Sequence, residues 1–168
     1  MSSSNRLAPQ ERRDLLADLL AMAPGARVET ARDGYLALRL PGEIALRLFF
    51  YPYPLVEPLG EQELAVASAI DLGLMKLAAI VSRGGKRDFV DLYLLCRELP
   101  LARLLERGGE KFGHVEDFAL QAVKGLADTA AAAGEPMPQL GRDLDWGEVE
   151  HWVTCEVEAA GRELLAAR

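Results

Sequence analysis

The sequence predicts an α+β domain in which a small antiparallel β-meander packs on helices and a C-terminal helical bundle follows. Half of the 168 residues are hydrophobic and 27% are charged, which is enough to form the core of one ordinary domain. Residues 27–50 alternate with the period of two that is typical of strands. From about residue 64 onward, the apolar residues recur at helical spacing instead.

We expect the chain to divide after residue 62. Residues 1–62 would hold one helix, over residues 9–22, and the three-stranded sheet. Residues 63–168 would hold the helical region, and both parts would belong to one structural unit. The helices expected in the second part cover roughly residues 67–82, 88–98, 101–107, 114–130 and 146–166.

Two tight turns separate the three predicted strands. Asp33 and Gly34 form a pair that tolerates positive φ, and Pro41 and Gly42 fit the central positions of a type II turn. Aliphatic residues alternate with polar or small ones in the second and third strands. We therefore expect an antiparallel meander with one buried face and with Arg47 on the outer face.

The net charge of −7 at pH 7 makes the chain acidic. Long-range repulsion of phosphate argues against strong general nucleic-acid binding, so a phosphate site must come from a local cluster of cations. The N-terminus has no secretory pattern and no segment reaches the roughly 18 apolar residues of a membrane helix, so we expect no membrane association. Two cysteines are too few for the usual secreted disulfide framework, which favours a cytoplasmic setting.

Charged side chains cluster where one predicted helix ends and the next begins. Lys76 and Arg83 are seven residues apart and therefore share a helix face. Cations around a glycine turn can hold a phosphate chain, because glycine lets the backbone come close. In the alternative interpretation the turn is merely solvated, Asp88 and Asp91 stabilise the first turn of the second helix, and Arg87 pairs with Asp91. The cluster comprises Lys76, Arg83, Lys86, Arg87, Asp88 and Asp91.

The segment Ser68–Leu95 resembles the shared helical region of the AbiEii/AbiGii-type nucleotidyltransferases. These are toxins of bacterial abortive-infection and toxin–antitoxin systems, in the DNA polymerase β-like superfamily. The family pattern is an Asp-Leu start, a lysine within the helix and then Arg-Gly-x-x-(Lys/Arg)-Asp-x-x-Asp-Leu. Asp71, Lys76 and Arg83–Leu92 match it, and the resemblance covers roughly residues 35–160.

The resemblance implies a partial nucleotidyltransferase fold and a role for the charged cluster. Lys76 and Arg83 would neutralise the phosphates of a nucleotide, beside the two cations that follow them. Asp88 and Asp91 would orient those cations. Mg²⁺ and a nucleoside triphosphate are implied as cofactor and substrate only if the activity of the family survives.

The first motif of the family is missing. It consists of a Gly-Gly or Gly-Ser helix start, then Asp-x-Asp on the next strand and a third carboxylate on a later strand, which together bind the metals. Nothing before residue 35 fits, and the central strand, Ile44–Phe50, carries no carboxylate. Asp143 and Asp145 lie in a proline-rich loop, where Asp145 is expected to cap the last helix. We therefore assign no catalytic residue and no metal ligand.

Three hypotheses of function follow. The chain is a degenerate or truncated nucleotidyltransferase with little activity alone, a non-enzymatic subunit or a nucleotide-binding regulator. The subunit would form a homodimer, or it would pair through an open sheet edge with an antitoxin or with a second polypeptide that supplies the missing motif. A zinc site formed by His151 and Cys155 with Cys96 or His114 is disfavoured, because the sequence has no Cys-x-x-Cys spacing. Helix packing is the better interpretation of those four residues.

Overall fold

The computed structural model describes residues 9–60 and 65–166, and its internal contacts divide the chain into two units, Met1–Pro52 and Tyr53–Arg168. The predicted division after residue 62 lies outside the described residues, whereas the contacts place the boundary after Pro52. A sheet in the first unit and helices in the second confirm the predicted α+β class. Among the residues described, no helix has the length and apolarity that crossing a bilayer requires.

The first unit contains a helix and the predicted meander. Helix α1 covers Pro9–Met22, and strands β1, β2 and β3 cover Arg27–Arg32, Tyr35–Leu40 and Ile44–Phe49. The strands are antiparallel in the order β1-β2-β3, so β2 is the central strand and β3 lies at an edge. The placement of Ile44–Phe50 in the centre was wrong, because two consecutive tight turns pair each strand with its neighbour in the chain.

One face of this sheet is aliphatic, as predicted. The glycines of both turns, Gly34 and Gly42, have positive φ values of 69° and 79°. These turns set a register in which the leucines of β2 meet aliphatic residues of β3. The cross-strand pairs are Leu36 with Leu48, Leu38 with Leu46, and Leu40 with Ile44. Arg47 lies on the opposite face and is exposed, which confirms its predicted orientation.

The second unit is built from helices around one apolar core. They are α2 (Ala69–Arg83), α3 (Lys86–Cys96), α4 (Leu101–Lys111), α5 (Phe118–Ala127), α6 (Ala130–Ala133) and α7 (Trp146–Ala166). Helix α2 packs against α3, α4 and α5, and α7 packs against α3 and α5. Side chains that are fully buried at this centre include Leu74, Leu77, Phe89, Leu92, Leu104, Leu126 and Val149.

Helix α4 is longer than predicted, and its glycines explain the difference. The predicted helix ends at residue 107, and the two residues that follow, Gly108 and Gly109, are of a type that normally weakens a helix. In the structure α4 continues to Lys111, and Gly108 is buried against Phe118. Phe118 in turn stacks on Phe112, with ring centroids 4.6 Å apart. A close approach between α4 and α5 therefore requires glycine here, and packing overrides the weak local preference.

We expect Gly108→Ala to lower the free energy of unfolding by about 1–3 kcal/mol, which is typical of overpacking. A Cβ atom at this position would lie 2.8 Å from Cε1 of Phe118 and closer still to its Cδ1 atom. Gly109→Ala is the matched control, since its Cβ atom would have no neighbour within 4 Å. The control should gain up to about 1 kcal/mol of helix propensity. Urea denaturation measures both, and equal effects of the two substitutions would contradict this account.

Candidate functional site

The candidate site lies at the turn between α2 and α3. Helix α2 ends at Arg83, and Gly84 follows in the left-handed conformation with a φ of 58°. Its N–H group donates a hydrogen bond to the carbonyl oxygen of Ala79. Gly85 is then extended and begins α3 as its N-cap. This short reversal brings the first turn of α3 beside the last turns of α2, which places their charged side chains in contact.

Asp88 is the centre of the site. Its carboxylate is 3% exposed and accepts two hydrogen bonds from Arg83, from Nε at 2.7 Å and from Nη2 at 2.9 Å. Such a two-point contact fixes the plane of a guanidinium group as well as its position. Lys76 Nζ donates a third hydrogen bond at 3.3 Å. Both cations that the sequence predicted for phosphate binding are therefore held by one buried carboxylate.

Asp91 holds the outer part of the same group. Its Oδ2 atom lies 2.6 Å from Lys76 Nζ and 3.9 Å from Arg87 Nε. Lys76 thus bridges the carboxylates of Asp88 and Asp91. The Arg87 pair at i,i+4 is present but long, and it is exposed enough to add little stability. We call Lys76, Arg83, Arg87, Asp88 and Asp91 the Asp88 cluster.

The surroundings of Asp88 and Arg83 favour the ionised form of both groups. Burial raises the pKa of Asp88, but the hydrogen bonds and positive charges of Arg83 and Lys76 outweigh burial and lower that pKa below its usual value. The hydrogen bonds that Arg83 donates to Asp88 raise the pKa of Arg83, against a smaller opposing effect of burial. The ion pair between Arg83 and Asp88 therefore persists at neutral pH.

Lys86 does not join the Asp88 cluster, although the sequence grouped it there. It is 5% exposed, and its ammonium group donates hydrogen bonds to the carbonyl oxygens of Ala133 and Glu135. The same group lies 4.9 Å from the ring centroid of Trp146. Because Lys86 is buried and fully engaged, it fastens the segment before α7 to α3. The structure brings five of the six predicted site residues together and leaves Lys86 out.

A second ion pair, which the sequence did not reveal, is buried between the first turn of α2 and the last turn of α4. Lys111 Nζ lies 2.7 Å from Asp71 Oδ1, and both side chains are 0% exposed. Lys111 also donates a hydrogen bond to the carbonyl oxygen of Pro54 at 2.7 Å. Asp71 accepts the backbone N–H groups of Val56 at 2.8 Å and Glu57 at 3.0 Å. The pair therefore ties the segment before α2 to α2 and α4.

Asp71 also serves the start of α2. Ser68 is the N-cap residue, and its Oγ atom accepts a hydrogen bond from the backbone N–H of Asp71 at 3.1 Å. The Ser68 hydroxyl in turn donates a hydrogen bond to the Asp71 carboxylate at 3.1 Å. Burial raises the pKa of Asp71, yet the hydrogen bond from Lys111, those from the two backbone N–H groups and the Lys111 charge together lower it to about 2. The resemblance to the Asp-Leu motif drew attention to this residue, but nothing in the sequence marked Lys111, 40 positions away, as its partner.

Beside the Asp88 cluster, a groove of about 390 Å³ runs along the ends of α2 and α5. Arg83 lines it together with Lys124, Gln121 and Asp128. The Arg83 side chain is 67% exposed, so its outer edge faces water while its inner edge holds Asp88. The groove presents two cations, an amide and the carboxylate of Asp128, so an anion bound there would contact Arg83 and Lys124 and would be repelled by Asp128.

The remaining residues that the sequence analysis considered for metal binding include Asp145, which lies just before α7, and His151 and Cys155, which lie in α7. Asp145 Oδ1 accepts the backbone N–H of Glu148 at 3.0 Å, which confirms its predicted role as a cap of α7. His151 and Cys155 are exposed on α7, with Nε2 and Sγ 3.9 Å apart, so the prediction that these two residues pack between helices was wrong. Among residues 9–60 and 65–166, no three His, Cys, Asp or Glu side chains are placed to hold a metal ion together.

Comparison with known proteins shows that the chain is similar to a bacterial protein. The chain is 32% identical over 120 residues to an uncharacterized protein, aq_aa25, of Aquifex aeolicus (strain VF5). The alignment covers 68% of this chain and 56% of that protein, so the chain spans little more than half the length of its relative. No family model and no solved structure matches the chain.

Proposed function

We propose that the chain is an AbiEii-type nucleotidyltransferase-like protein that is catalytically incomplete by itself. The observation that carries the proposal is the contact among four motif residues, in which Lys76 binds the carboxylates of Asp88 and Asp91 and Arg83 binds that of Asp88. They were selected from the sequence because they resemble a motif that completes a nucleotide site. Their contact in space is what such a motif requires.

The charges at the site fit a phosphate better than a metal ion. The Asp88 cluster holds three cations and two carboxylates, and the groove that Arg83 lines adds one cation, Lys124, and one carboxylate, Asp128. Arg83 is prepared for an anion, since its hydrogen bonds to Asp88 fix its outward edge. Asp88 and Asp91 are already engaged by cations, so the described residues do not fit the Mg²⁺ that the family uses, and we derive no metal-dependent step.

The first test is a transfer assay. Purified chain with α-labelled nucleoside triphosphates, Mg²⁺ and tRNA should label neither itself nor the tRNA, because no bound metal would stabilise the negative charge that develops on the phosphate oxygens. An intact nucleotidyltransferase toxin, assayed in parallel reactions under the same conditions, is the positive control. Robust, metal-dependent labelling by the chain alone would overturn its proposed incompleteness.

A chain that binds a nucleotide without transferring it would be a nucleotide-binding regulator. Thermal unfolding with and without nucleotide tests this hypothesis. A ligand that binds only the folded state raises the unfolding midpoint. We expect saturating triphosphate to raise the midpoint of the wild type and of Arg142→Gln, which alters an exposed loop residue, but not that of Arg83→Gln. An unchanged midpoint in the wild type would exclude the regulator.

The second candidate function is a non-enzymatic subunit, and the open sheet favours it. Within the described residues, β1 and β3 each pair with β2 alone, which leaves one edge of each strand without a partner strand. Such edges accept a strand from another polypeptide. Size-exclusion chromatography with light scattering should then show a dimer, or a complex with a co-expressed polypeptide that carries the Gly-Gly…Asp-x-Asp motif. A monomer that captures no such polypeptide would contradict this function.

A further inference from the structure

The face of the sheet opposite the leucines is rich in arginine. Residues that pair across antiparallel strands point to the same side, so the register defines this face. Arg39 pairs with Arg27, Ala37 pairs with Arg47, and Tyr35 pairs with both Arg32 and Phe49. We call this surface the arginine face, and its large side chains are those of Arg27, Arg32, Tyr35, Arg39, Arg47 and Phe49.

The arginines of this face are not explained by stability of the sheet. Arg27 and Arg39 lie directly opposite each other, and like charges in that arrangement destabilise a strand pair. Glu29 offsets only one of them, since it binds Arg39 at 2.7 Å. Arg27 and Arg47 are exposed, and among the described residues no carboxylate forms an ion pair with either. Two cations therefore remain available to an anion.

Aromatic rings accompany these cations. The Arg32 guanidinium lies 5.0 Å from the ring centroid of Tyr35, a cation–π contact that leaves a flat surface for stacking. Phe49 is directly across from Tyr35 on β3 and is 55% exposed. Tyr51 supports it edge-on at 6.2 Å. Because the Phe49 ring is more than half exposed, its burial in the first unit contributes little to the stability of that unit.

We infer that the arginine face binds single-stranded nucleic acid. Arg27 and Arg47 would contact phosphates, and unpaired bases would stack on Phe49 and on the Arg32–Tyr35 pair, a combination of contacts that tolerates any sequence. The three strands span about 10 Å, so the face suits one strand of nucleic acid, whose bases are free to reach the rings. An acidic peptide would satisfy the arginines but would leave the rings unused.

The inference does not rest on the proposed nucleotidyltransferase relationship. It concerns the first unit, whereas the Asp88 cluster lies in the second. The charge of −7 repels nucleic acid at long range, so we expect this local patch to bind with modest, salt-sensitive affinity. The transfer assay and the binding experiment below can therefore succeed or fail separately.

Fluorescence anisotropy with a labelled single-stranded RNA of about 20 nucleotides tests the inference, at about 50 and 200 mM salt. We expect Arg27→Gln/Arg47→Gln to bind the RNA about tenfold more weakly at low salt. The plot of the logarithm of the association constant against the logarithm of the salt concentration should become less steep by roughly 1.4, about 0.7 for each lost phosphate contact. Arg142→Gln/Arg162→Gln is the matched control, which removes the same charge from exposed positions of the second unit. Circular dichroism confirms that all variants fold.

Phe49→Leu tests the stacking part, because it keeps an apolar side chain and removes the ring. We expect about tenfold weaker binding with an unchanged salt slope. Absence of RNA binding by the wild type at low salt would overturn the inference. An equal loss of RNA affinity in Arg27→Gln/Arg47→Gln and in the control Arg142→Gln/Arg162→Gln would overturn it as well. Polyglutamate or anionic vesicles that compete as well as RNA does, or duplex binding as tight as single-strand binding, would overturn it too.

Discussion

Lys111→Met should lower the free energy of unfolding by about 3–5 kcal/mol, the typical cost of breaking a buried ion pair by removing one partner. Methionine has a similar length, so the substitution removes the charge with little change in volume. The Asp71 carboxylate, 0% exposed, would then be buried without a counter-ion. Urea denaturation measures the loss. Lys124→Met is the control at an exposed position, where we expect a change within about 0.5 kcal/mol.

The double variant Asp71→Asn/Lys111→Met separates the cost of an unpaired charge from the value of the pair. Without either charge, we expect it to be more stable than Lys111→Met alone, because replacing both members of a buried pair is often close to neutral. Its stability should stay below that of the wild type, since Asn accepts fewer of the hydrogen bonds from Val56 and Glu57. A Lys111→Met variant as stable as Lys124→Met would contradict the role assigned to this pair.

The Asp71 pair should also make stability depend on pH in the acid range. The pKa of Asp71 is lowered from 3.8 to about 2 in the folded state, so the unfolded state binds its proton first as the pH falls. The contribution is fully present above about pH 4 and is lost as the pH falls through about 2. Unfolding measured from pH 5 to pH 2 should be less pH-dependent in Asp71→Asn/Lys111→Met than in the wild type. Equal profiles would contradict the lowered pKa.

Asp88→Asn has the second large expected effect, a loss of about 2–3 kcal/mol in the free energy of unfolding. The neutral amide would remove one buried charge that binds Arg83 twice and Lys76 once. This loss is smaller than the roughly 3–5 kcal/mol typical of breaking a buried pair, because the Arg83 side chain is largely exposed and regains water. Denaturation by urea at neutral pH measures the change.

Asp91→Asn is the matched control for Asp88→Asn. Asp91 binds the same lysine, but its carboxylate is much more exposed, so its loss should cost about 1 kcal/mol or less. Similar costs for the two substitutions would show that burial of Asp88 has no special role. Arg83→Gln should cost about 1–3 kcal/mol, because the buried Asp88 carboxylate would lose two hydrogen bonds and keep the one from Lys76. The thermal-shift test therefore compares the midpoint of each variant with and without nucleotide, after circular dichroism has shown that the variant is folded.

Local signals in the sequence were sufficient for the meander and for several helix ends. The turns at Gly34 and Gly42 need only a residue that accepts positive φ, and that requirement is met within two or three positions. Ser68 and Asp145 cap the helices that follow them through contacts with residues three positions away. The Asp88 cluster was partly visible for the same reason, since all its members lie within Lys76–Asp91.

The tertiary structure decided which of the similar side chains became buried. Lys76, Lys86 and Lys111 look alike in the sequence, yet one bridges two carboxylates, one fastens the segment before α7 and one is fully buried with Asp71. Likewise, α4 continues through Gly108 because Phe118 packs there. The sequence determined the strands, their turns and the local charge pairs, because these depend on neighbours in the chain. The burial of a charge depends on residues tens of positions away, and only packing of the whole helical unit supplies them.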